Sequence, residues 1–115
     1  MTLNTLQEFD IRAGLAFADG DEELYREVLA MFHEQLNDEF AKLPEQLCHS
    51  SNELLARQVH TLKGSAGSVG ATRIEAVARE MTQAFKAGNV PDDSLLDALQ
   101  TSMKAAHKEL AALLN

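Results

Sequence analysis

Apolar residues recur at intervals of three and four along most of the chain. From Tyr25 the series Val28, Leu29, Phe32, Leu36, Phe40, Leu43 and Leu47 marks one stripe. Leu55, Val59, Leu62, Ala66 and Val69 mark a second, and Ile74, Val77, Ala78, Met81 and Phe85 a third. Leu95 or Leu96, then Leu99, Met103, Ala106, Leu110 and Leu113 mark a fourth. This spacing follows the 3.6-residue turn of an amphipathic helix, and the strict alternation of a half-buried strand is never sustained. A shorter apolar element over residues 5–18 (Leu6, Phe9, Ile11, Leu15, Phe17) is expected to cover one end of the core. The pattern predicts an all-α protein, an antiparallel up-down-up-down four-helix bundle with a short N-terminal capping helix.

Start and stop signals divide the stripes. Pairs with capping-box spacing place helix starts at Asp19 with Glu22, Ser50 with Glu53 and Thr72 with Glu75. Gly70 is expected to stop the second long helix and Gly88-Asn89 the third, with Pro91 and two Asp residues opening the last. Pro44 lies inside the first stripe, where a helix must kink or break before resuming. There are no internal repeats, low-complexity runs or long linkers, so residues 1–115 are read as one domain.

Composition narrows the picture. Ala and Leu supply 34 of the 115 residues and Val and Ile only seven, a balance that favours helix. The formal net charge of −8 argues against a nucleic-acid partner or an anionic membrane surface, both of which require a basic excess. No apolar run reaches the roughly 20 residues of a membrane span, and no signal pattern opens the chain, so a cytoplasmic location is expected. Cys48, the one cysteine, has no partner for a disulfide or a CxxC zinc motif.

Four histidines are the candidate chemistry. No two are spaced i, i+3 or i+4, and the Glu-x-x-His pattern of metal-binding bundles is missing, so a metal site would need side chains from different helices. His33 and His107 fall on polar or small-residue faces and are expected to be solvent-exposed; His49 falls at a helix end. His60 differs from these three. It points roughly 140° away from the apolar stripe of its own helix, with Gly64 and Gly67 on the same outer face. Two glycines inside a helix cost about 1 kcal/mol each relative to alanine, and here they leave the imidazole uncovered for a close approach. Lys63, one turn on, supplies a cation where an anion carried by His60 would sit. A neutral imidazole is a competent nucleophile for phosphoryl transfer, a reaction that needs mainly positioning and charge neutralisation.

The segment His60-Thr61-Leu62-Lys63-Gly64-Ser65-Ala66-Gly67-Ser68-Val69-Gly70-Ala71 resembles the signature of histidine-containing phosphotransfer (HPt) domains of bacterial phosphorelays. Asp10 with the apolar element after it, Gly20-Asp21-Glu22-Glu23-Leu24, Phe32 and Gly88 extend the resemblance over nearly the whole chain. It implies that His60 is phosphorylated, accepting the group from an Asp of a receiver domain and passing it to a response-regulator Asp. It also implies that Lys63 assists phosphate binding, that Gly64 gives clearance and that Gly70 sets the turn. Many relatives carry a Gln on the next helix that hydrogen-bonds near the imidazole. The matching position here is Thr82, with Gln83 adjacent, and the choice between them stays open.

Gly67 and Arg57 complete the expected docking face. No kinase nucleotide loop is present, so a phosphocarrier without autokinase activity is expected. It should be monomeric, hold no metal or cofactor, and leave Mg²⁺ to its partners, the receiver domains of a hybrid sensor kinase and a response regulator. A bundle that only docks on receivers and a metal-binding bundle are the competing readings. Residues 57–86 carry Arg57, Lys63, Arg73, Arg79 and Lys86 against Glu75 and Glu80, a local +3 that leaves −11 elsewhere. A contiguous basic patch facing an acidic partner is the corresponding expectation.

Overall fold

The structure, a computed structural model, describes residues 2–114. A single 3-10 turn, Leu3–Thr5, precedes six helices: α1 (Ile11–Phe17), α2 (Glu22–Asn37), α3 (Leu43–His49), α4 (Glu53–Val69), α5 (Thr72–Lys86) and α6 (Asp93–Leu114). No strand occurs among the described residues. The four long helices form a ring in which α2 packs on α4, α4 on α5, α5 on α6 and α6 on α2. Neighbours run antiparallel. Tyr25 at the start of α2 hydrogen-bonds Val69 at the end of α4, and short turns join α4 to α5 and α5 to α6.

The apolar stripes converge on one core. Leu29, Phe32 and Phe40 from the first, Val59, Leu62 and Ala66 from the second, Ile74, Ala78 and Met81 from the third, and Leu99, Ala106 and Leu110 from the fourth are all buried. Phe9, ahead of α1, closes onto Phe32 edge-to-face with ring centroids 6.3 Å apart.

Helix boundaries follow local competition among capping groups. The first long helix is capped by Asp21, whose carboxylate accepts from Leu24 N at 3.1 Å, and not by Asp19. Asp19 is held in the left-handed region (φ 55°), away from the extended conformation an N-cap needs. Asn52 caps α4 by accepting from Leu55 N at 2.9 Å. Ser50 instead ends α3, its hydroxyl donating to Gln46 O. Thr72 is the first helical residue of α5 and no side chain caps that helix. The turn before it is too short: Gly70 (φ 77°) closes α4, Gly70 N bonds Gly67 O, Ala71 N bonds Ala66 O, and α5 starts at once. Gly88 and Asn89 close α5 by the same pattern of bonds, onto Phe85 O and Ala84 O. Asp92 caps α6 through Leu95 N.

Pro44 breaks the first stripe, but the break begins six residues earlier, after Asn37. A proline in a continuous helix would lack its own N–H and press its ring on the carbonyl of Phe40, so the chain turns at residues 38–42 and Pro44 occupies the first turn of α3.

The N-terminal segment covers the α4–α5 turn. Asp10 N donates to Gly70 O at 2.7 Å, and the Glu109 carboxylate of α6 accepts from Gln7 N and Glu8 N. Leu3, Leu6 and Phe9 are buried. Phe17 departs from the expected cover and is 71% exposed.

Candidate functional site

His60 lies two turns into α4, on the face away from the core, and is exposed. It makes no side-chain hydrogen bond among the described residues. A groove of about 590 Å³ between α4 and α5 opens beside it, lined by Ala56, Arg57 and Thr61 from α4 and Thr82, Phe85 and Lys86 from α5. The register of the helices explains this grouping. Leu55, Val59 and Leu62 turn inward, so His60 and Arg57 turn out toward the outer edge of α5.

Lys63 and Gly64 lie one turn further along and line a second groove with Gly67, Ser68, Glu75 of α5, and Ala13 and Phe17 of α1. Lys63 is half-buried and has no ion-pair partner among the described residues. The two glycines differ. A Cβ at Gly64 would meet no atom within 4 Å, so the position is open to solvent. A Cβ at Gly67 would collide with the Glu75 carboxylate, so Gly67 makes room for a neighbouring side chain of its own fold.

Of the two residues expected near the imidazole, only Thr82 lines the His60 groove. It is buried, and its hydroxyl donates to Ala78 O at 2.8 Å. Gln83 is exposed and does not line that groove. Phe85 and Phe17 join the face without having been expected there, and Lys86 joins it as one cation of the expected basic patch. Phe85 was counted with the core stripe and is only half-buried, while Phe17 joins through tertiary packing of α1 on α4.

Charge on this face is more dispersed than the count along the chain suggests. Arg73 pairs with Glu8 at 3.0 Å, Arg79 with Glu75 at 3.3 Å and Arg57 with Glu53 at 3.4 Å. Arg73 and Arg79 are therefore largely neutralised. Lys63 and Lys86, one at each groove, are the cations of the segment without an ion-pair partner among the described residues.

The other histidines depart from expectation in one respect. His49 ends α3 in solvent, as its position implied. His33 and His107 are both half-buried, and α2 and α6 stack them with ring centroids 4.8 Å apart. No group of three or more His, Cys, Asp or Glu side chains suited to a metal occurs among the described residues. Among the described residues no helix is long and apolar enough to cross a membrane.

The all-helical bundle carries the exposed His60 on an outer helix face next to a lysine and an open glycine, an arrangement in keeping with the helical bundles of histidine phosphotransfer modules. The Hpt domain family model matches residues 27–113, most of the chain, and the protein belongs to that family. No match was found among curated proteins. Hpt domains are histidine phosphotransfer modules of two-component signalling and interact with receiver domains.

Proposed function

We propose that His60 is the residue that carries the phosphoryl group, taking it from an aspartyl phosphate of one receiver domain and giving it to an Asp of another. The lone-pair nitrogen of the imidazole attacks phosphorus, an N–P bond forms, and the P–O bond to the donor Asp breaks with release of its carboxylate. The reverse displacement by the second receiver's carboxylate regenerates the imidazole. The observation that carries the reading is the open surface around His60: the ring is exposed, and the missing Cβ at Gly64 faces free space. The attacking nitrogen must come within bonding distance of a phosphorus carried by another protein, which favours an acceptor that protrudes among small neighbours.

Lys63 supplies positive charge for the phosphoryl oxygens without spanning another contact, and Lys86 adds to it on the other side, where Arg57 is paired with Glu53. Thr82 Oγ retains acceptor capacity after donating to Ala78 O and is the hydrogen-bond partner we assign to an imidazole N–H; Gln83 is too far round α5 to line the groove. In this reading phosphate supply and Mg²⁺ belong to the receiver partners.

Incubation with a phosphorylated receiver tests the assignment. Wild-type protein should acquire acid-labile phosphate, and His60→Gln should acquire none. Lys63→Ala should transfer more slowly, by about tenfold, because a single charge-assisted contact is lost while the nucleophile remains. An unchanged rate would remove Lys63 from the site.

A further inference from the structure

We propose that His33 and His107 form a two-imidazole binding site for a divalent first-row transition ion, with water completing its coordination. The two residues come from α2 and α6, far apart in the chain, and the packing of these helices brings their rings to a centroid separation of 4.8 Å at an interplanar angle of 50°. The spacing matches what coordination requires. Imidazole nitrogens bind such ions at about 2.0–2.1 Å, and a ring centroid lies roughly 1.2 Å behind its nitrogen. Two rings on one ion at about 90–110° therefore have centroids about 4.5–5.3 Å apart.

Both rings are prepared to act as ligands. His33 Nε2 is buried and has no hydrogen-bond partner, an orphaned polar atom of the sort that a metal–ligand bond satisfies. His107 Nε2 is hydrogen-bonded to the Asn37 side-chain oxygen. With that oxygen as acceptor, Nε2 carries the proton and Nδ1 holds the lone pair, the arrangement by which a second-shell carbonyl orients a metal-bound histidine.

Asn37 lies one turn after His33 on α2, so the supporting group and the first ligand share a helix face. Access exists as well. His107 and Asn37 line a groove of about 390 Å³ between α2, α3 and α6, with Glu45, Gln100 and Lys104 at its walls; His33 lies behind His107 and is reached from the groove only past that ring. Imidazole pairs without thiolates suit Zn²⁺, Ni²⁺ and Cu²⁺ above Mg²⁺ or Ca²⁺. The site lies on the α2–α6 side of the bundle and is independent of the reading of His60.

Calorimetric titration of chelator-treated protein with ZnCl₂ tests the proposal. One saturable site per chain is expected, weakened more than about tenfold by His33→Gln or His107→Gln. Asn37→Ala should weaken it by up to about tenfold through lost orientation. Far-UV circular dichroism without metal shows whether each variant is folded. Imidazole ¹H–¹⁵N correlation spectra of the wild type give a readout that needs no variant: zinc should shift His33 and His107 and leave His49 and His60 unmoved. Absence of saturable binding, or shifts confined to His49 or His60, would overturn the site.

Discussion

Gly64 is the plainest case of a residue whose missing side chain the fold itself does not require. It sits in a helix interior with nothing within 4 Å of its missing Cβ, so alanine or leucine there would relieve the conformational cost of glycine. Gly64→Leu should therefore raise thermal stability slightly, by up to about 1 kcal/mol, while slowing phosphotransfer by about tenfold or more. Thermal melts and transfer kinetics on the same preparation check this, and a parallel loss of both would contradict it. Gly67 looked equivalent along the chain, since both glycines face away from the apolar stripe. Only the position of Glu75 on the neighbouring helix separates them. Tyr25 is a residue whose importance was equally hidden. Its buried hydroxyl donates to Val69 O at 2.7 Å, and burial together with the nearby Asp10 carboxylate pushes its pKa up to about 12. The folded state thus favours the neutral phenol, while the unfolded chain ionises near pH 10. Stability from this group is full below pH 10 and lost as pH rises toward 12. Tyr25→Phe should flatten that part of the stability–pH curve, measured by denaturant unfolding.

At the scale of elements, the apolar stripes were legible because helical period depends on nothing beyond the chain itself. Caps were less so. Asp19, Ser50 and Thr72 each had a Glu three residues on, yet Asp21, Asn52 and a backbone turn start the helices. Several side chains near a helix start are chemically able to cap, and backbone conformation decides among them. Glycine stops are legible because a left-handed residue after a helix strongly selects glycine. Gly70 carries a second constraint. A Cβ there would collide with the Asp10 carbonyl oxygen, in the contact that seats the N-terminal segment on the α4–α5 turn. Gly88 has the same sign of φ and open space around it. Gly70→Ala should cost about 2 kcal/mol or more and Gly88→Ala about 1 kcal/mol, compared by chemical denaturation. Equal costs would show that the Asp10 contact contributes nothing.

Over the whole molecule, the chain's acidity and its function are reconciled by where the charge lies, though less simply than a +3 segment implies. Long-range ion pairs such as Arg73–Glu8 are set by the seating of the N-terminal segment, which no count along the sequence anticipates. What remains near His60 is a face with Lys63 and Lys86 on either side and aromatic rings, Phe17 and Phe85, at its margins. The central claim is that this face exists to present one imidazole. It is tested most directly by phosphoryl transfer from a labelled receiver to wild-type protein and to His60→Gln, with His49→Gln as a matched exposed-histidine control. Wild type and His49→Gln should be labelled alike and His60→Gln not at all; undiminished label on His60→Gln would contradict the account.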